Sequence, residues 1–390
     1  MRHALLLLFA PLLLPLAGCD TTFPGEEMDV AGGRKTRPFA IVCEPPEAAP
    51  GETVTVTLHY YEPEPDRHDV SWRVSLDYDL GLYEADEVER DIVELDGLVN
   101  PPQSDAYGFC TQAFTYTVPD EALLRASSQP EVITDELLLA LARPLLDLAE
   151  DDPLSKTELD LRLALTAAGQ VSWEYVVDDN IRAMWGRLGD LFACEIRFRA
   201  GIDGAVRVDV TKNLTVRYSS NLESVNVNQN PRITRTYIRA APYPDVAYED
   251  LFSYGQDVLT FGLTAEGWYG DLVEIPLHAD WTYYLDSEVY LQDYTSPFDA
   301  DIRLEKFNLH WYHYNLDDPG VDRPLFVRDD GDEAEMDDLD RWVRLLPPAH
   351  PGHLGYRVAT CMRDVRMEWR GYAFAPGANL VYSEFAFVEP

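Results

Sequence analysis

The sequence predicts a mainly β protein built from two tandem β-sandwich domains, the first of which carries a helical insertion. Three observations predict this fold class. Short apolar runs that alternate with polar residues recur in both halves of the chain, as in strands with one buried face. Pro, Gly and Asn separate these runs, which is typical of turns. The length of 390 residues suffices for about two domains.

The chain begins with an apolar segment, residues 4–16, which follows the positively charged Arg2. A helix that spans a bilayer needs roughly 20 apolar residues, and Pro11 and Pro15 interrupt this shorter run. A charged start and a short apolar stretch that ends in small residues are typical of a secretion signal. Residues 1–18 are therefore predicted to be a signal peptide.

The signal ends in Leu16-Ala17-Gly18-Cys19, which resembles the lipobox of bacterial lipoproteins. The resemblance implies cleavage before Cys19, acylation of Cys19 and anchoring in a membrane. Several acyl chains on one residue hold a protein stably without a transmembrane segment. We therefore expect a lipid-anchored protein of the cell envelope, on the inner or the outer membrane, that faces the periplasm or the cell surface.

The charge of the chain narrows the choice of partners. The formal net charge is −38, whereas nucleic-acid binding needs clustered Lys and Arg. Nucleic acid is therefore not expected as a partner. An anionic lipid surface would also repel the protein, so the membrane contact is expected to depend on the acylated Cys19. The hydrophobic fraction of 46% is sufficient for well-packed cores.

Residues 19–37 lack apolar periodicity and contain Gly, Pro and charged residues, so they are predicted to be a flexible tether. Such a tether reaches on the order of 25 Å from the lipid. The first sandwich is predicted to follow over residues 38–218. Within it, about 120–192, the leucines are too dense for strand alternation and helix-start signals occur at Asp120 and Ser155. This interval is predicted to be a helical insertion.

The first strands of this domain carry a second resemblance. A proline-glycine turn at Pro50 separates an apolar strand from one in which Val54, Val56 and Leu58 share a face. The stretch "PPEAAPGETVTVTL" resembles the first two strands of bacterial immunoglobulin-like domains. The resemblance implies immunoglobulin-like sandwiches in the strand-rich parts of the chain. It assigns no functional residue beyond Cys19, because these folds host many roles.

A joint rich in Asn and Ser, residues 219–231, is predicted to link the two domains. Its end, "NQNPRI", resembles the joint between immunoglobulin-like domains of bacterial surface lipoproteins. Several apolar and aromatic runs with turns between them follow in residues 232–390, which predicts the second sandwich. The two halves share no clear repeated motif, so a repeat array is not expected.

The cysteines after Cys19 have no CxxC spacing, so they do not indicate a metal site. In an oxidising envelope compartment, Cys43 and Cys110 are the expected disulfide pair, because both flank runs that are predicted to be strands. Closing a loop of that length stabilises a fold by roughly 4 kcal/mol. The alternative is that some or all of the cysteines are small buried apolar residues.

Two histidine pairs have spacings that suggest metal ligands. His310 and His313 lie in a predicted strand, where residues three positions apart face opposite sides. His350 and His353 lie in a predicted loop, and the sequence specifies no third ligand for zinc. We therefore predict a half-buried strand for the first pair and a solvated loop for the second.

Two acidic runs raise the question of a calcium site. For residues 329–340 the EF-hand pattern fails, because placing Gly331 at its sixth position makes Phe326 the first ligand. A charged, mobile loop is favoured over an irregular calcium site. Residues 83–97 are interpreted in the same way. No metal and no cofactor are predicted.

The motifs bear on function mainly by what is missing. The chain contains no GxSxG, HExxH or P-loop motif and no GxGxxG before a helix. The aromatic stretches "DWTYYLDSEVYLQDY" and "HWYHY" either fill a core, which is favoured, or form a sugar-stacking or partner-binding surface.

We predict a non-enzymatic binding, spacer or assembly component whose partner is an envelope protein or polysaccharide. The alternative is an extracytoplasmic hydrolase acting on glycans or other envelope polymers, which would need a deep polar cleft with close carboxylates.

Overall fold

The computed structural model of the chain describes residues 35–77, 90–95, 99–119, 194–216, 228–263, 272–295, 302–304, 306–317, 325–327, 342–348, 354–367, 373–374 and 377–390. These residues are mainly β, as the sequence predicts, and form four large sheets and one two-stranded hairpin. The predicted signal peptide, most of the predicted tether and the predicted helical insertion lie outside the described residues. Within the described residues, no helical segment has the length and apolarity that a membrane span requires.

The described strands of the first half form two sheets. In chain order they are β1 (Arg37–Glu44), β2 (Glu47–Ala48), β3 (Thr53–Tyr61), β4 (Asp69–Asp77), β5 (Arg90–Glu94), β6 (Gln103–Ser104), β7 (Phe109–Thr117), β8 (Cys194–Asp203) and β9 (Arg207–Val216). Sheet I has the order β1-β3-β7-β6, and sheet II has the order β2-β9-β8-β4-β5. All pairings are antiparallel except that of β2 with β9.

The described strands of the second half also form two large sheets. They are β10 (Arg232–Ala241), β11 (Leu259–Leu263), β12 (Val273–Pro276), β13 (Thr282–Tyr290), β14 (Asp293–Thr295), β15 (Ile302–Leu304), β16 (Lys306–Asn315), β17 (Phe326–Val327), β18 (Trp342–Leu345), β19 (Leu354–Met367), β20 (Ala373–Phe374) and β21 (Ala378–Val388). Sheet III has the order β11-β10-β13-β18-β17. Sheet IV has the order β12-β21-β19-β16, with β20 beside β19, and β14 pairs with β15.

Each half encloses an apolar core between its two sheets, an arrangement consistent with a β-sandwich. The alternation predicted for β3 is confirmed, since Val54, Val56 and Leu58 are fully buried whereas Thr53 and Thr55 are exposed. Successive side chains of a strand point to opposite faces. The buried face of β3 therefore packs into the core between sheets I and II.

A third apolar cluster lies between the two halves, where the outer face of sheet I packs on the outer face of sheet IV. Phe39 and Phe109 of sheet I meet three tyrosines of sheet IV. The ring centroids are 5.3 Å apart for Phe39 and Tyr312, 5.3 Å for Phe109 and Tyr314, and 5.6 Å for Phe109 and Tyr382. The sheets therefore stack in the order II, I, IV, III, and buried rings hold the halves together.

The end of the predicted joint is fixed to both halves through Asn230. Its side-chain amide donates hydrogen bonds to the carbonyl oxygen of Cys43 at 2.8 Å and to Oε2 of Glu44 at 2.6 Å. Its Oδ1 accepts a hydrogen bond of 2.9 Å from the backbone N–H of Ala378. Residues of β1 and β21 are thus tied through one side chain.

Candidate binding surface

The structure places the predicted cysteine pair apart. Cys43 and Cys110 are buried free thiols, so the predicted disulfide is not formed. In the strand register, Cys43 lies opposite Val56 and Cys110 lies opposite Tyr60. Four residues along an extended strand span about 13 Å, whereas disulfide-bonded Cβ atoms lie about 3.8 Å apart. Burial raises the pKa of both thiols to about 12, as expected of small buried apolar residues. Cys19 lies outside the described residues.

The predicted separation of His310 and His313 is confirmed. His313 is buried in the core of the second half, with its ring centroid 5.2 Å from that of Phe326. His310 is half-buried and lies on the opposite face of the strand, which it shares with Tyr312 and Tyr314. In the part of the chain that the structure describes, no three His, Cys, Asp or Glu side chains converge as metal ligands.

Several of the sequence candidates fall on parts of the chain that the structure does not describe. These are His350 and His353, the acidic run 329–340, and most of residues 83–97. The aromatic stretches can be followed, and core filling is confirmed for Tyr283, Tyr284, Trp311, Tyr312 and Tyr314, which are all buried. Tyr290 of the same stretches is 56% exposed, so core filling accounts for most of these rings but not for all of them.

Of the five exposed aromatic rings among the described residues, three lie together in one connection between strands, and Tyr107 and Tyr290 lie elsewhere. Residues 243–257, here called the aromatic segment, connect β10 to β11 and include the 3-10 helix Tyr248–Asp257. Tyr243, Phe252 and Tyr254 are exposed, and Phe252 is the most exposed of them at 67%. A grouping of exposed rings indicates an interaction surface more strongly than scattered apolar residues do.

The aromatic segment is held on the outer face of sheet III by its buried residues. Val246 and Leu251 pack against Tyr284, whose hydroxyl donates a hydrogen bond of 2.6 Å to the carbonyl oxygen of Val246. The ring of Tyr248 stacks on that of Trp342, with centroids 4.6 Å apart and planes 11° apart. These anchors fix the backbone that carries the exposed rings.

Arg239 of β10 lies at the edge of this segment. Its guanidinium carbon is 5.4 Å from the ring centroid of Tyr237 and 5.6 Å from that of Phe252. Its Nε donates a hydrogen bond of 2.6 Å to Oδ2 of Asp286. Partial burial lowers the pKa of Arg239, and the hydrogen bond and charge of Asp286 raise it. The second effect is larger, so the pKa of Arg239 is raised overall. Burial, together with a hydrogen bond to Asp286, raises the pKa of Tyr248, so its hydroxyl stays protonated.

Beyond Arg239, the rings and the carboxylates of the segment are interleaved. The rings of Tyr243 and Tyr254 are 4.9 Å apart and tilted by 33°, and the hydroxyl of Tyr243 lies 3.4 Å from Oδ2 of Asp257. Glu249 and Asp250 are exposed in the first turn of the 3-10 helix. The segment contains no Lys, Arg or His. It therefore offers aromatic faces and negative charge together.

A sequence signal for this surface exists in "YPDVAYEDLFSYGQD". Its aromatic residues follow neither strand alternation nor a regular apolar face, and acidic residues separate them. Aromatic residues in a connection between strands are not needed for the sheet itself. The pattern alone does not show that the rings are exposed, because loop aromatics also cover sheet faces, as Tyr248 does here.

Comparison with known proteins adds no family to these observations. No model of a protein family matches this chain, and no curated protein sequence matches it. Its function is therefore inferred from its own residues.

Proposed function

We propose that the chain is a lipid-anchored protein of the cell envelope that acts as a non-enzymatic binding component. It would present the aromatic segment to a partner on a body of two tandem immunoglobulin-like sandwiches. The lipobox at Leu16-Ala17-Gly18-Cys19 supports the anchor, and the turn and strand pattern after Pro50 supports the fold. The test below also determines whether the inner or the outer membrane carries the anchor.

The exposed rings of the aromatic segment carry this proposal. Scattered exposed apolar residues are normal on protein surfaces, but Tyr243, Phe252 and Tyr254 lie within one short connection. Rings of this kind dominate binding energy at interfaces, where a few aromatic and arginine anchors supply most of it. Arg239, paired with Asp286, already contacts one face of the Phe252 ring.

The fixed contact between the halves supports a role as a spacer or assembly component. The rings between sheets I and IV are fully or largely buried, and they include Phe39 and Phe109. A binding surface on sheet III then keeps one orientation relative to the rest of the body. An interface that buries so many aromatic side chains opposes relative motion of two domains.

The test uses cells that produce the chain with a C-terminal affinity tag, as wild type, as Cys19→Ala and as a Phe252→Ala/Tyr254→Ala double variant. We expect wild type in the membrane fraction, with a defined envelope partner after cross-linking and purification. Cys19→Ala should move to the fraction released without detergent. The ring variant should stay at the membrane and lose the partner.

Two outcomes would contradict the proposal. Equal membrane association of wild type and Cys19→Ala would exclude the lipid anchor. Equal partner recovery with and without the two rings would exclude the aromatic segment as the binding surface. Turnover of an envelope polymer that survives the ring variant would favour the alternative, an extracytoplasmic hydrolase. Separate fractionation of inner and outer membranes from the same cells assigns the membrane.

A further inference from the structure

We propose that the aromatic segment docks a cationic stretch of a partner protein, one that contains Lys or Arg side chains. This inference rests on the proposed binding role and names the chemistry of its partner. It follows from the charge around the rings and from the way in which one arginine of the chain already uses them.

The charge around the exposed rings is negative. Glu249 and Asp250 are exposed in the first turn of the 3-10 helix that carries Phe252, and Asp257 lies beside Tyr243. The segment itself contains no basic residue, and the whole chain has a formal net charge of −38. A cationic partner therefore gains attraction on approach, whereas an anionic polymer or lipid surface is repelled.

Two basic residues that contact the segment, Arg239 and Arg344, already have carboxylate partners. Arg239 is paired with Asp286 at 2.6 Å, and Arg344 is paired with Asp245 at 2.7 Å. Their charges are compensated within the chain. Glu249 is exposed and forms no ion pair with another described residue, so an incoming cation can approach it.

Arg239 shows that a ring of this surface accepts a guanidinium group. It lies 5.6 Å from the ring centroid of Phe252, within the range of cation–π contacts. Phe252 nevertheless stays 67% exposed, so most of the ring remains open to a second group. A partner Arg or Lys can contact this ring while its charge lies near Glu249 and Asp250.

The test measures binding of the full-length chain, purified in a mild non-ionic detergent, to fluorescent peptides of alternating Arg and Gly. Matched peptides of alternating Glu and Gly, and of Ser and Gly, serve as probes of charge. We expect binding of the Arg-containing peptide alone, and an affinity that falls as the salt concentration rises.

Two pairs of variants locate the binding site. Phe252→Ala/Tyr254→Ala should lower the affinity for the Arg-containing peptide roughly tenfold, because two cation–π contacts are lost, and the exposed Tyr290→Ala should leave it unchanged. Glu249→Gln/Asp250→Asn should weaken binding. Asp66→Asn/Asp69→Asn removes the same charge from exposed residues of the first half and should have little effect.

Several results would overturn the inference. The inference would fail if the Arg-containing peptide did not bind. It would also fail if Glu249→Gln/Asp250→Asn and Asp66→Asn/Asp69→Asn weakened binding equally, because that would indicate general attraction to an acidic chain. Salt-independent binding of a neutral oligosaccharide that needs Phe252 would assign the surface to a glycan. In that case the proposed binding role would stand and only the cationic partner would fail. Partner recovery from cells that does not depend on the rings would instead reject the proposed function.

Discussion

Arg357 and Asp105 form an ion pair across the contact between sheets I and IV. Arg357 also binds Glu384 through Nη2 at 2.6 Å, and its guanidinium carbon lies 4.6 Å from the ring centroid of Phe109. The side chain of Arg357 is only 5% exposed. Arg357 of the second half is therefore enclosed by two carboxylates and a ring. Asp105 and Phe109 belong to the first half, and Glu384 belongs to the second.

Replacing Arg357 with Met should destabilise the protein strongly. The change leaves the carboxylates of Asp105 and Glu384 without their cation in a largely buried site, which costs about 3–5 kcal/mol. Chemical denaturation followed by fluorescence measures this loss. The control is Arg67→Met, which breaks an exposed pair with Glu64 and should cost less than about 1 kcal/mol. Equal effects of the two substitutions would show that the contact between the halves does not depend on Arg357.

Acid should destabilise the fold through two histidines, the buried His313 and the half-buried His59. Burial lowers the pKa of His59 to about 4 and that of His313 to about 3, whereas an unfolded histidine titrates near 6.5. The unfolded state therefore binds protons first, and stability is complete above about pH 6.5 and falls as the pH approaches 4. We expect the free energy of unfolding to fall over this range.

A variant tests whether His59 contributes to that decline. His59→Gln removes the titrating group, so the free energy of unfolding should fall less steeply between pH 6.5 and 4 than in wild type. Identical slopes in wild type and His59→Gln would contradict the assigned cause.

Asn230→Ala should loosen the joint between the halves. It removes the three hydrogen bonds of the Asn230 side chain and leaves part-buried backbone groups of Cys43 and Ala378 without this partner. We expect a loss of about 1–3 kcal/mol in the free energy of unfolding. The exposed Asn100→Ala, whose side chain makes one long hydrogen bond of 3.4 Å, should change it by less than about 0.5 kcal/mol. Similar losses would show that the joint is not fixed by Asn230.

The thiols should be protected rather than oxidised. Cys43 and Cys110 are buried and free, and burial raises the pKa of each to about 12, so the reactive thiolate is scarce. In the folded protein, alkylation followed by mass spectrometry should leave both unmodified without any reducing agent. Both should react once denaturant is added. If the two cysteines of the denatured protein were alkylated only after reduction, the predicted disulfide would be present after all.

The sequence predicted the features that depend on neighbouring residues. The alternation of Val54, Val56 and Leu58 and the opposite orientation of His310 and His313 are local properties of a strand, and both are confirmed. Whether Cys43 and Cys110 can form a disulfide depends on strand register, which is set by pairing between strands that are distant in the sequence. The residues that flank each cysteine carry no information about that register.

The sequence indicated the contact between the two halves only in part. In β16, "HWYHY" is apolar or aromatic at successive positions, so that Trp311 packs into one core and Tyr312 into another. A strand without polar alternation indicates burial on both faces. Which surface covers the second face depends on the whole fold, and the sequence does not specify it. The exposure of Phe252 is likewise decided by how the aromatic segment lies on sheet III.

The most direct test of the binding surface places a photoreactive side chain at Ser253, between the exposed Phe252 and Tyr254, in the full chain in cells. The same group at Asp66, on the first half, is the control. We predict that irradiation links Ser253, but not Asp66, to one envelope protein, and that the captured peptide contains Lys or Arg. Cross-links of equal yield and identity from both positions, or none from Ser253, would contradict the assignment of the aromatic segment as the binding surface.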